Sequence, residues 1–424
     1  MQAAQQMDTA GSSQQVRQWI PLLWGIVLLG LVLRVGWALI VPVEPVSDGV
    51  AYHTFASNIV EHGVYGWTAE NPGAYWPVGT SAILAALYTL FGSGFTSVIV
   101  LNIAISLAVI LQTFWLARHY FDLRTALFAA ALLAFWPSLI MYVTLVASEV
   151  IFIFLLLGGL IAFEIRWRRI WVGILVTGLI WSAAVYVRPL ALLVPIVFGA
   201  SYILRGQGGL WRTLLRVVCI YVLMAAAIAP WSARNTEVFG ERVMVSTNFG
   251  PVFWMGNNPD TTGEYQRLPD WAQDLTEIER SNRLKDEAMA YVANEPGAFV
   301  LRTITKFARL HARETIAVAW NSTQIMALGG ATLREGLKAV ASAYWFAVLA
   351  LAIWGSWQII RRRGLWPLLT DASFLGWMYV TWVHAVIILG DRYHIPAIPF
   401  VAILGAYGLT KLRARRTDME DAFA

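Results

Sequence analysis

The chain has 424 residues, of which 58% are hydrophobic and only 13% charged, and its net charge is +5. A soluble domain carries about 25% charged residues, so a water-soluble globular protein is excluded. The repeated long apolar runs identify an all-α polytopic membrane protein. The single cysteine, Cys219, excludes an internal disulfide and a thiolate metal cluster. The pI near 9.3 does not point to nucleic acid, because the basic residues sit in short clusters between apolar runs, the positive-inside pattern.

Residues 1–18 are polar and read as a cytoplasmic tail. The run 19–41 is too long for a signal-peptide core and is expected to be an uncleaved first span. A polar, aromatic stretch follows at 46–79, VSDGVAYHTFASNIVEHGVYGWTAENPGAYWPVG, carrying Asp48, His53 and His62. Further spans are expected at 95–117, 124–143, 148–165, 170–187, 189–204, 213–232, 338–360, 366–389 and 394–411. The short run 77–91, which opens at Pro77, is ambiguous. Charge parity resolves it. Arg118 and Arg124, Arg166 to Arg169, Arg205 and Arg212, Arg361 to Arg363, and Lys411 to Arg416 all fall in the cytoplasm only if 77–91 does not cross. The expectation is ten crossings with both termini cytoplasmic. Residues 19–233 then form an N-terminal catalytic module with a periplasmic loop at 42–94. Residues 234–335 form a larger periplasmic loop region, with a charged helix near 270–293 and a basic amphipathic helix over 302–313. Residues 336–411 are C-terminal transmembrane helices, and 412–424 a second cytoplasmic tail.

This orientation gathers the unusual charges on the outer face. Asp48 follows the first span, where a solvated loop acid is the plain alternative. Glu149 opens a span after Ser148, where it can simply complement the helix dipole. Arg188, Arg392 and His394 place positive charge against the positive-inside trend, and arginine binds phosphate in bidentate fashion. Their plain alternatives are headgroup snorkelling for Arg188 and a local Asp391–Arg392 pair capping the last helix. Tyr52, His53, Tyr75 and Trp76 suit a substrate platform, or an interfacial anchor. Arg34 and His384 read as groups satisfied inside the bundle. Asn321-Ser322-Thr323 fits a glycosylation tripeptide, a pattern common by chance. HExxH, phosphate-loop and GxGxxG motifs are absent.

The first-loop pattern SDGVAYHTFASNIVEHG followed by YWPVGTSAILAALYTLFG resembles bacterial integral-membrane glycosyltransferases of the GT-C fold. These are the family-39-like relatives of protein O-mannosyltransferases and lipid A aminoarabinose transferases. APWSARNTEVFG with VMVSTNFGPVFWMGNNPDTTGEY, ASEV, and DRYHIPAIPF agree in order and spacing. The resemblance implies a GT-C-like bundle in the bacterial inner membrane. It implies inverting transfer of a hexose or pentose from a polyprenyl-phosphate donor to a lipid, protein or glycan acceptor on the periplasmic face. Asp48 would be the base or electrostatic anchor, Glu149 the second acid, and Arg188, Arg392 and His394 the lipid-phosphate ligands. Two acids also leave room for one divalent metal ion. Trp76 and Val78 depart from the group's first-loop pattern, and the short C-terminal part departs from its oligosaccharyltransferase branch. The competing reading is a transporter or flippase of a lipid-linked or amphipathic substrate. That class expects midplane ionisable groups, broken helices and repeated halves.

Overall fold

A computed structural model describes residues 2–423 and the side chains of 19–412. The tails expected at 1–18 and 412–424 fall, apart from Leu412, outside the residues whose side chains are described. Within the described residues the regular structure is helical, with one isolated bridge between Gly66 and Pro72. Helices are what long apolar segments must form, since lipid offers the backbone no hydrogen-bond partner.

The bundle is built around its last helix. In Ile398–Phe423, residues Phe400, Val401, Ala402, Ile403 and Leu404 are all fully buried. This helix packs against Ser322–Arg363, Leu123–Ala134 and Ala372–Ile387. Small residues set the closest approach. A Cβ on Gly408 would stand 2.3 Å from the Leu351 carbonyl, and one on Gly355 would stand 2.1 Å from that of Leu404. The first span, Trp19–Ile40, is the peripheral extreme and exposes Trp24, Leu28 and Leu39. Apolar side chains left bare on this scale face lipid. Arg34 is buried in the same helix and donates to Ser106 Oγ (2.6 Å) and to the Gly30, Leu133 and Ala134 carbonyls.

Six helices among the described residues are long and apolar enough to cross a bilayer. The bent pair Leu123–Ala134 and Pro137–Thr144 makes a seventh. The expected ten crossings also require Glu149–Glu164, Pro189–Leu204 and Ala372–Ile387 to cross. A 16-residue helix such as Glu149–Glu164 is about 24 Å long, short of a hydrocarbon core of about 30 Å. Even so, its two ends lie at opposite ends of the bundle. Glu149 meets Arg188, which follows Ile170–Val187. Glu164 meets Arg205, His119 and Tyr120 at the far ends of Pro189–Leu204 and Thr96–Tyr120. The basic junctions near 118–124, 166–169 and 205–212 therefore share one end.

Val78–Phe91 touches the main bundle through Ile83 and through Gly79, where a Cβ would stand 2.6 Å from the Tyr186 carbonyl. It packs on Asp48–His62, and Leu84, Ala85 and Tyr88 form a small separate core with Tyr52, Ala56, Val98 and Val146. In the larger loop the charged helix is Glu277–Asn294, started by a Thr276–Glu279 capping box. The next helix, Pro296–Arg309, begins earlier than the expected 302–313, and its basic side faces inward. Lys306 is buried and Arg302 bonds Asn258 O and Tyr291 Oη, while Val300, Leu301 and Ile304 are exposed.

If 78–91 does not cross, Ser93→Cys in a Cys219→Ser background reacts with an impermeant maleimide from the same side as Asn282→Cys, and from the side opposite Arg168→Cys. Reaction of Ser93→Cys from the Arg168 side makes the segment a crossing and removes the ten-span arrangement.

Candidate functional site

Asp48 is the first residue of its helix, where the unpaired backbone N–H groups favour a carboxylate. The turn before it is strained. Ser47 has φ 52°, the left-handed region that favours glycine, and no other non-glycine residue among those described has a positive φ. Gly49 follows because a Cβ there would stand 2.7 Å from the Val146 carbonyl. The Ser-Asp-Gly sequence thus presses the first helical turn onto the 146–149 junction.

Arg392 Nη1 donates to Asp48 Oδ2 at 2.5 Å, across 344 residues of sequence. The Arg392 guanidinium also lies over the rings of Trp320 and Tyr393, at 5.2 and 5.1 Å. A second pair stands beside the first. Arg188 Nη2 donates to Glu149 Oε1 at 2.5 Å and its Nε to Ser148 Oγ at 3.0 Å. The Arg188 charge acts on Asp48, and that of Glu149 acts on Arg392. Tyr52 is buried within electrostatic reach of both pairs. Burial alone raises the Asp48 carboxyl, but Arg392, the Trp76 indole and Arg188 outweigh it and hold the group below its usual value of 3.8.

A cavity of about 1190 Å³ opens against these groups. Asp48, Tyr52, Tyr75, Trp76, Arg188 and Arg392 line it, so the structure brings together six of the residues singled out by the sequence. Glu149 is 1% exposed and sits behind Arg188 rather than on the wall. His53 is turned away, with Nδ1 2.9 Å from Tyr88 Oη and its ring against Phe95. His394 is buried 3.2 Å from Glu314 Oε2 and stacked on Trp345, outside the lining. The local Asp391–Arg392 pair does not form. Asp391 instead accepts from the Thr315 backbone N–H and hydroxyl. His384 lines the cavity, stacked on Tyr393, with both ring nitrogens buried and free of hydrogen bonds. One wall is apolar, formed by Leu190, Leu192, Val383 and Ile387.

Two devices hold this geometry. Trp76 is fixed in an aromatic cluster with Phe55, Trp67 and Tyr75, and the Tyr65 hydroxyl donates to its carbonyl. The segment carrying Arg392 is fixed by the Gly-Asn-Asn loop. Asn257 Nδ2 caps the Val386 and Ile387 carbonyls, and Lys306 Nζ donates to Gly256 O, Asn257 Oδ1 and Val386 O, each at 3.1 Å. A Cβ on Gly256 would stand 1.9 Å from the Ile387 carbonyl. Burial, with Arg302 adding to it, pushes Lys306 down to about 7. Its three oxygen partners match the three donors of an ammonium. Neither Lys306 nor Asn257 was expected from the sequence. The tight GNNPDTTG run in an otherwise apolar chain is the signal for the loop of Asn257, while Lys306 lies on the helix Pro296–Arg309.

Among the described residues no group of three His, Cys, Asp or Glu side chains is placed to hold a metal ion. A hard divalent cation takes several oxygen ligands, whereas the carboxylates at the cavity are already engaged: Asp48 and Glu149 by Arg392 and Arg188, Glu264 by Arg309, Glu277 by the Ala74 N–H and the Thr247 hydroxyl, and Asp391 by Thr315. The residues present do not fit a resident metal.

The architecture matches solved membrane proteins. An oligosaccharyltransferase, AglB, from Archaeoglobus fulgidus, in complex with an inhibitory peptide and a dolichol-phosphate, aligns with a TM-score of 0.54 at 12% identity. That alignment covers 96% of this chain and 52% of the other. The chain has the GT-C fold. The same archaeal enzyme solved with Zn and sulfate aligns at 0.53 and 14% identity, over 93% of this chain and 49% of the other. The chain thus spans about half the length of these oligosaccharyltransferase structures. ArnT from Cupriavidus metallidurans, bound to undecaprenyl phosphate, aligns at 0.45 and 16% identity, over 92% of this chain and 78% of the other. No family model and no curated protein matches the sequence.

Replacing Lys306 with Met removes three hydrogen bonds, leaving the Gly256 carbonyl and Asn257 Oδ1 without a donor while Val386 O keeps that of Asn257 Nδ2. At about 1 kcal/mol each, Lys306→Met is expected to lower unfolding stability by about 3 kcal/mol, read by chemical denaturation in detergent. An unchanged midpoint contradicts the clamp.

Proposed function

We propose that the chain is an integral-membrane glycosyltransferase that moves a sugar from a polyprenyl-phosphate donor to an acceptor at the periplasmic face of a bacterial inner membrane. The observation that carries this reading is the meeting of Asp48, Arg392, Arg188 and Glu149 from four separate junctions at one cavity with an apolar wall. The charge distribution also favours an enzyme over a transporter, because these ionisable groups gather at one end of the bundle.

A polyprenyl phosphate leaves as an anion and needs that charge stabilised more than it needs a proton. Preorganised guanidinium groups supply this stabilisation. In the proposed step the bond from the anomeric carbon to the phosphate oxygen breaks, and a bond to the acceptor oxygen or nitrogen forms on the opposite face. The acceptor's proton passes to Asp48. The lipid tail lies along Leu190, Leu192, Val383 and Ile387, with the phosphate between Arg188 and Arg392. An Asp48 paired to Arg392 is a weak base. When the donor phosphate draws Arg392 to itself, Asp48 is released and its basicity rises. Glu149 acts through Arg188 by holding its charge in place. Its replacement would leave a buried arginine unpaired, a loss of about 3–5 kcal/mol. The sugar is a hexose or pentose, and the acceptor a lipid, protein or glycan.

Asp48→Asn is expected to reduce transfer by about 10³-fold without changing membrane insertion, and Arg392→Gln by about 10²–10³-fold. The measurement is mass spectrometry of envelope lipids and glycans from complemented deletion strains, where transfer appears as a one-sugar mass. In the wild-type enzyme Asp48 is ionised throughout the neutral range, so the acid limb lies below the usual 3.8. Removing the Arg392 charge raises that limb. Full activity in Asp48→Asn removes the carboxylate from the mechanism.

A further inference from the structure

The arginines that line the cavity differ in what they hold. Arg188 is paired with Glu149 and Arg392 with Asp48. Arg313 lies 3.7 Å from Glu264 and 3.9 Å from Asp391. Arg280 also lines the cavity, yet its side chain forms no hydrogen bond or ion pair among the described residues, and its Nε is buried without a partner.

The helix that carries Arg280 is anchored in place. Glu277 lies three residues earlier and also lines the cavity. Its Oε1 accepts from the Ala74 backbone N–H (2.9 Å) and the Thr247 hydroxyl (2.7 Å). This carboxylate therefore ties the helix to the first loop and is already satisfied by neutral donors. It turns the same helical face, and Arg280 with it, toward the cavity. Arg283, three residues further on, is occupied in contrast. It pairs with Glu287 and stacks over Trp271 at 3.9 Å. The charges of Arg280 and of Asp48 both act on Tyr75.

A guanidinium keeps its proton, and a buried guanidinium nitrogen without a partner, as Arg280 Nε is, is costly. Its planar fork fits a phosphate or carboxylate. We propose that Arg280 binds an anionic group, a phosphate ester or a carboxylate, carried by the acceptor. The acceptor assignment rests on the donor phosphate lying between Arg188 and Arg392. The anion site rests on Arg280 alone. The enzyme would then favour acidic acceptors and hold them with the reacting hydroxyl or amine directed past Tyr75 toward Asp48.

The test uses the full chain in detergent at constant ionic strength. Inorganic phosphate is titrated by thermal unfolding, with and without saturating undecaprenyl phosphate. Phosphate is expected to stabilise the protein in both conditions. Arg280→Gln should weaken that response by about tenfold or more while leaving undecaprenyl phosphate binding within about twofold. Arg280→Lys should retain part of the response, and Arg283→Gln should retain all of it. An undiminished phosphate response in Arg280→Gln overturns the proposal, as does an equal loss in Arg283→Gln. Loss of undecaprenyl phosphate binding in Arg280→Gln also overturns it, by moving the residue to the donor site. Failure of undecaprenyl phosphate to bind the wild-type chain removes the donor reading, while an Arg280-dependent phosphate response still establishes the anion site.

Discussion

The Asp48–Arg392 pair closes the structure's longest functional connection, from the loop after the first span to the turn before the last helix. Neither partner reaches the other unaided. Asp48 is delivered by the strained Ser47 turn and the close seat of Gly49 on Val146. Arg392 is delivered by a segment whose carbonyls are capped by Asn257 and Lys306. Strain at the first place and a buried ammonium at the second are costs borne by surrounding packing, a pattern expected where geometry serves chemistry.

Each of the two ion pairs is electrically balanced before any substrate arrives. That pairing offsets the desolvation that burial imposes on the charged groups, so two arginines and two acids stand beside an apolar wall. It also makes the site responsive. In the proposed mechanism a lipid phosphate brings negative charge, competes with Asp48 for Arg392, and converts a stabilised carboxylate into a better proton acceptor. Binding of the donor and activation of the acceptor then become one event, with Arg188 kept in register by Glu149.

Much of the helical framework was legible because apolar run length is a direct consequence of the bilayer. Asp48, Arg188 and Arg392 stood out because charge is scarce in this sequence and theirs breaks the expected pattern. Partner choice was less legible. His394 lies two residues from Arg392, yet it turns into the core to meet Glu314, because a helical turn sends near neighbours to different faces. His53 faces Tyr88 for the same reason. Lys306 was read as part of a basic surface helix. The structure buries Lys306 on backbone carbonyls and exposes Val300, Leu301 and Ile304, the face an amphipathic surface helix offers to lipid, so what the pattern did not give is the inward partner of Lys306. Arg280 was one charge in a charged helix until Glu277 was seen to tie that helix to the first loop.

The most direct test of this account is a cryo-EM structure of the full chain with undecaprenyl phosphate. The account predicts phosphate oxygens at about 3 Å from the guanidinium groups of Arg392 and Arg188, with Asp48 released from Arg392 and the lipid along Leu190 and Ile387. A phosphate bound elsewhere, with the Asp48–Arg392 pair intact, would contradict it.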